Sequence, residues 1–189
     1  MDDIGESEAP ARDALLRGDR RRALTLLMGW YGKTVYTSCC NILRDASKAE
    51  DALQTTFVQA FADLPRYRGQ SSFRVWLLAI ARHRCFDMLK SERREGAHLE
   101  RPGTLVEVEA DGPNTEEQLH IASIRKQMAH CLGKLSDEVR EAIYLRFTEQ
   151  LSYEEMATLT GERAATLQMR VARAMSGLRQ CLEASGVSL

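Results

Sequence analysis

The chain has 189 residues, a formal net charge of -1, and 44% hydrophobic and 28% charged residues, a globular composition long enough for one mid-sized domain or two small ones. No apolar run approaches the roughly 18 residues needed to cross a bilayer, and the start MDDIGESEAP lacks the basic-then-apolar order of a signal peptide, so a cytoplasmic location without membrane insertion is expected. Five cysteines, an odd number with no C-x-x-C pair, argue against a disulfide framework or a zinc ribbon. They read as free thiols packed as small hydrophobes, with a redox or metal switch as the alternative.

Residues 1–10 read as a disordered start. Helical periods then dominate. Ala23, Leu26, Leu27, Trp30, Tyr31 and Val35 recur at spacings of three and four and predict one amphipathic helix. Ser47 and Glu50 form a Ser-x-x-Glu capping box that opens a second. It carries Leu53, Phe57, Ala60, Phe61 and Leu64 on one stripe before Pro65 stops it. After a short loop from Arg66 to Ser71, a third helix from about Ser72 to Arg93 places Phe73, Trp76, Leu77, Ile80 and Met88 inward.

The segment 95–118 has seven acids against one arginine, with Pro102, Gly103, Gly112 and Pro113 and no sustained helical period. It reads as a linker over 96–116 between domains at 11–95 and 117–184. The net charge hides this pattern, because 66–94 holds eight Lys or Arg against two acids and 163–182 holds four arginines and no acid. Both flanking domains are near the lower size limit for a core, which favours compact all-α designs.

In the second domain, Thr115 with Gln118 predicts a capped helix bearing Leu119, Ile121, Ile124, Met128 and Leu132. Ser136, followed by Asp137 and Glu138, predicts a helix bearing Val139, Ile143 and Phe147. Ser152 and Glu155 repeat the capping box ahead of Met156 and Leu159, Gly161 supplies a turn, and a long helix runs from about Arg163 to Glu183, leaving a tail at 185–189. Small Ala157, Gly161 and the anchor Leu167 make the last pair a helix-turn-helix, the alternative being an ordinary helical hairpin with a solvated arginine face. In such a unit Arg163, Ala164, Thr166, Gln168, Met169, Arg170 and Arg173 face the major groove, where Arg and Gln can bond bases bidentately.

The stretches AEDALQTTFVQAF, YRGQSSF with WLLAIARHRCFDML, LSDEVREAIYLRF, LSYEEMA and TLQMRVARAM together resemble a bacterial RNA polymerase sigma factor of the extracytoplasmic-function type, with only regions 2 and 4. The resemblance spans about 12–184 and implies two helical domains that confer promoter-specific initiation on core polymerase. By it, Glu50, Asp51, Gln54 and Phe57 contact the clamp helices of the largest subunit, and region 4 meets the flap of the second-largest. Asp51, Gln54 and Val58 share a face apart from Leu53, Phe61 and Leu64, and Phe57 lies between the two faces.

The same resemblance implies that the loop and following helix read and open the -10 element. Arg68, Gly69, Ser71 and Ser72 offer a polar pocket for an extruded base, and Arg74, Arg82, Arg84 and Lys90 offer charge for the strand. Trp76 is read as core rather than as a melting residue. His83 departs from the Asn common in the family's I-A-R-N-x-x-x-D run and is either a pocket residue or merely structural. Residues 165–170, Ala-Thr-Leu-Gln-Met-Arg, depart from the family's G-T-V-[KR]-S-R, so the -35 sequence does not transfer from relatives.

An anti-sigma factor is the expected inhibitor, and no sensory domain is expected after the recognition helix. The acidic linker is either a solvated tether or a nucleic-acid mimic. With dispersed histidines, no P-loop and no Ser, His and acid trio, no catalytic residue, cofactor or metal site is expected. A plain duplex-binding regulator and a polymerase-binding module without promoter-selective initiation are the competing readings.

Overall fold

The computed structural model of the chain describes residues 8–94 and 116–185, apart from the side chains of 116–120. Every regular element among the described residues is helical. In chain order these are α1 (Ala9–Leu16), α2 (Arg20–Leu43), α3 (Ala46–Asp63), a 3-10 turn (Leu64–Arg66), α4 (Phe73–Arg94), α5 (Glu116–Gly133), α6 (Asp137–Phe147), α7 (Tyr153–Thr160) and α8 (Ala164–Ala184). The chain divides into two compact units, one holding α1 to α4 and the other holding α5, α6, most of α7 and α8. The expected linker and Thr115 lie outside the described residues. No described helix is long and apolar enough to cross a membrane.

In the first unit, α2 starts where Asp19 accepts the Arg22 N–H at 2.9 Å, and it ends on Arg44 in a left-handed conformation with its N–H on the Cys40 carbonyl. Ala23, Leu27, Tyr31 and Val35 are buried as the period requires, while Trp30 sits at the edge of the stripe and stays partly exposed. Asp45, not Ser47, caps α3. Asp45 has the extended backbone of a cap (φ -145°, ψ 118°) and accepts the Lys48 N–H at 3.1 Å, whereas Ser47 is already inside the first turn.

The inward stripe of α3 is also turned from expectation. Ala49, Ala52, Thr56, Phe57 and Ala60 are buried, Leu53 is partly buried and Phe61 remains 37% exposed. Alanines let α3 lie close against both α2 and α4, and Thr56 satisfies its hydroxyl on the Ala52 carbonyl at 2.6 Å, so small and polar residues fill places a hydrophobicity count assigns to larger ones. On α4, Phe73, Leu77, Ala81, Cys85 and Leu89 recur every fourth residue and are buried in the core. Each large one contributes roughly 1.5–3 kcal/mol of burial. Trp76 packs on that core from its edge, as the sequence reading favoured.

In the second unit, α8 packs on both α5 and α6. Met128, Leu132, Leu135 and Ile143 gather around Cys131, Leu178 and Leu182, while Ile121 is exposed. Ser136 holds the cap position of α6 with extended backbone, but its hydroxyl makes no cap bond. The predicted α6 stripe fails at Phe147, which is 53% exposed, whereas Arg140, Glu141, Ala142, Tyr144 and Leu145 are buried. The reason is pairing. Arg140 reaches Asp137 Oδ1 at 2.6 Å, and the Tyr144 hydroxyl donates to Glu149 Oε1 at 2.6 Å, so polar groups can take inward positions.

Cysteine chemistry divides between the units. Cys39, Cys40 and Cys85 are buried thiols outside any disulfide, and burial pushes the Cys40 thiol above its usual range, which keeps it neutral and inert. Cys131 and Cys181, however, form a disulfide with Cα atoms 5.9 Å apart, contrary to the expectation of five free thiols. Their separation of 50 residues carries no spacing signal, and helix packing alone brings the two ends of α5 and α8 together.

Candidate nucleic-acid and polymerase interfaces

The loop between the 3-10 turn and α4 is built locally. Gly69 has φ +70°, a left-handed conformation that favours glycine, and Arg68, Gly69 and Gln70 are exposed around it. The Tyr67 hydroxyl donates to the Ser71 carbonyl, closing the loop, and the Tyr67 ring stacks on Phe73 with centroids 4.2 Å apart. Ser72 Oγ accepts the Val75 N–H at 3.2 Å and caps α4. Ser72 is thus engaged by the fold, and Tyr67, not singled out in the sequence, is the loop's anchor; an aromatic just ahead of the glycine and within reach of Phe73 is the signal that could have found it.

The cations of α4 differ in their setting. Lys90 and His83 are exposed. Arg84 donates to Gln59 Oε1 at 3.1 Å, and Gln59 in turn donates to Asp63 Oδ2 at 2.7 Å, which holds this arginine along α3. Arg82 lies over the Phe86 ring at 4.6 Å, and the backbone N–H of Arg74 points at Glu8 Oε1 at 3.4 Å. On α3, Glu50, Asp51 and Gln54 are exposed and Val58 is 72% exposed, one contiguous face. Phe57, read as lying between the faces, is buried in the core.

The helix-turn-helix is assembled by a reciprocal cap and a glycine. The Ser152 N–H donates to Glu155 Oε2 at 2.8 Å while the Glu155 N–H donates to Ser152 Oγ at 3.2 Å, the predicted capping box. Gly161 has φ +76°. Along α8, Leu167, Val171, Ala174 and Leu178 are buried, leaving Arg163, Thr166, Gln168, Met169 and Arg173 exposed and Ala164 partly so. Arg170 is the exception to the predicted reading face. Its Nη1 bonds Glu162 Oε1 at 2.7 Å and its Nη2 bonds Oε2, a two-bond pair across the turn that raises the guanidinium pKa.

A helical unit with an exposed glycine loop beside a cationic helix, joined to a helix-turn-helix unit, defines a two-part DNA-binding transcription protein. The family model for Sigma-70 region 2 matches residues 27–95, and that for Sigma-70, region 4 matches 125–178. The chain is 28% identical over 174 residues to the ECF RNA polymerase sigma factor SigK of Mycolicibacterium vanbaalenii, covering 90% of this chain and 88% of that one. It is 32% identical over 138 residues to the ECF RNA polymerase sigma factor SigC of Mycobacterium tuberculosis, covering 72% and 71%. Its fold matches the sigma factor RpoE from Bartonella quintana, solved with the anti-sigma factor NepR, at TM-score 0.67 and 24% identity, covering 82% of this chain and 94% of that one. CnrH, solved with the cytosolic domain of CnrY, gives TM-score 0.67 at 23% identity, covering 94% and 97%. The chain belongs to the extracytoplasmic-function sigma factors of the sigma-70 family. It binds core RNA polymerase and promoter DNA and directs promoter-specific initiation.

Proposed function

We propose that residues 11–95 dock on core polymerase through the α3 face and capture the -10 element at the Gly69 loop, while 117–184 read the -35 duplex through the start of α8 and meet the polymerase flap. The observation that carries this reading is the order of three exposed surfaces along the matched regions: an acidic and amide face on α3, a glycine loop leading into a cationic helix, and a capped helix-turn-helix. Glu50, Asp51 and Gln54 make the clamp-helix contacts, with Val58 adding apolar area and Phe57 supporting α3 from the core. Arg68, Gly69 and Ser71 border the extruded base, Ser72 sets the start of α4, and Arg74, Arg82, Arg84 and Lys90 follow the strand. Arg163, Ala164, Thr166, Gln168, Met169 and Arg173 meet the duplex, and Arg170 acts with Glu162 as a brace across the turn.

The polymerase performs the chemistry. An anti-sigma partner fits this reading because RpoE, a protein of the same fold, was solved with one. The test is run-off transcription with purified core polymerase and promoter-bearing fragments, with and without the protein. Transcripts that start at defined sites only when it is present support the proposal. Core binding without such transcripts leaves the alternative of a polymerase-binding regulator.

Two substitutions resolve the DNA contacts. His83→Asn is expected to change the preferred -10 base without unfolding the protein, because His83 is exposed. Binding of oligonucleotides carrying each base in turn checks it, and an unaltered order of the four bases sinks the assignment. Arg163→Ala is expected to weaken -35 duplex binding and lower its salt slope by about one counterion if this arginine neutralises a phosphate. Affinity and salt slope both identical to the unaltered protein refute a DNA role for this residue.

A further inference from the structure

Glu8 is a charged side chain with 0% exposure, ahead of the matched region 2 and unused by the contacts above. Its Oε1 accepts the Tyr31 hydroxyl at 2.9 Å and lies 3.4 Å from the Arg74 N–H, while Oε2 pairs with Arg12 Nη2 at 3.2 Å. Three elements therefore converge on one carboxylate: α1 through Arg12, α2 through Tyr31, and the first turn of α4 through Arg74. The Arg74 N–H belongs to the amides at a helix start that lack an intrahelical acceptor, where a negative group is favoured by the helix dipole. Arg74 is also next but one to Ser72, where the loop ends.

The consequence reaches the loop itself. A cavity of about 620 Å³ has Arg12, Leu15 and Leu16 of α1 on one side and Pro65, Tyr67 and Gly69 of the loop segment on the other. We infer that Glu8 is a positioning residue for -10 recognition, tying α1 and the start of α4 together so that the loop is held open beside α1 at a fixed height. The inference rests on the proposed reading of the -10 element by this loop. Without the carboxylate, α1 loses its grip on the helix that follows the loop, and the loop loses the wall that limits its movement. Buried, charge-assisted bonds of this kind hold geometry well because breaking them leaves polar groups without partners.

The experiment compares holoenzymes made with the unaltered protein, Glu8→Gln and Glu8→Ala, the last also in a Tyr31→Phe background so that no buried hydroxyl is orphaned. Binding to single-stranded -10 oligonucleotides carrying each base in turn is measured beside affinity for core polymerase and helical content. Glu8→Ala is expected to bind the preferred oligonucleotide about tenfold more weakly and to discriminate less among bases, the scale of one lost charge-assisted bond. Core affinity stays unchanged, and Glu8→Gln keeps most of the binding because its amide oxygen still accepts from Tyr31 and Arg74. Oligonucleotide binding equal to the unaltered protein in both alanine variants overturns the inference. A parallel fall in core affinity and helical content, in both alanine backgrounds, overturns it in favour of a purely structural role. If the unaltered holoenzyme itself shows no base preference, the -10 reading fails first and is distinguished from failure at Glu8.

Discussion

Reduction of the Cys131–Cys181 bond by a dithiol is expected to lower the stability of the second unit by about 4 kcal/mol, the chain-entropy value for a loop closed over 50 residues. The bond joins the end of α5 to the end of α8, the helix whose start is proposed to read the -35 duplex, and its neighbours Met128, Leu132, Leu178 and Leu182 form a small cluster. A unit of this size has only a few kcal/mol to lose. Cys181 is partly exposed, so reductant can reach the bond. Urea denaturation of the full chain, followed with and without dithiol and repeated on Cys181→Ser, reads the effect. The second transition should move to lower urea in both cases, and coincident curves would show that the bond does not support the fold.

Reversing charge on the α3 face should have the largest effect on function. Glu50→Lys combined with Asp51→Lys is expected to weaken association with core polymerase by about a hundredfold, since like-charge placement across an interface costs several kcal/mol. The fold should tolerate the change. Both side chains are exposed, away from Ala49, Ala52 and Thr56, and exposed substitutions of this sort usually shift stability by less than about 0.5 kcal/mol. Titration of core polymerase with labelled protein measures the affinity, and thermal unfolding of the free protein checks the fold. Unchanged affinity would remove α3 as the docking face and leave the contact to be sought elsewhere.

The sequence carries the fold where the signal is local. The Ser152 and Glu155 capping box, the Gly161 turn and the inward placing of Phe73 and Leu77 all depend on residues within a few positions of one another, and each is present in the fold, whereas Trp76, Ile80 and Met88 of the same expected stripe are only partly buried. The sequence does not show where a residue outside the expected box takes the cap or where polar groups find partners. Asp45 displaced Ser47 as a cap because its backbone is extended and its carboxylate reaches Lys48 N–H. Arg140 and Tyr144 took inward places on α6 because Asp137 and Glu149 satisfy them, a pairing that apolar periodicity does not report.

The candidate surfaces divide in the same way. Exposure of Glu50, Asp51, Gln54 and His83 agrees with their helical register. Burial of Phe57 depended on which way α3 rolled with its own alanines against α2 and α4, and the bracing of Arg170 depended on the course of the chain through Gly161 to Glu162. The ties of Glu8 to Tyr31 and Arg74 span 23 and 66 residues, and no spacing rule points to them.

By itself the sequence determined the family, the two helical parts, the Gly161 turn and the Ser152 and Glu155 capping box, because each is written in short-range patterns of backbone preference and periodic burial. The tertiary structure decided the rest: which stripe of α3 faces inward, that Cys131 meets Cys181, that Arg170 is held by Glu162, and that Glu8 joins three elements at the start of α4. Those outcomes depend on close packing between helices, where a small residue admits a neighbour and a buried charge is tolerated only if distant partners arrive to bond it.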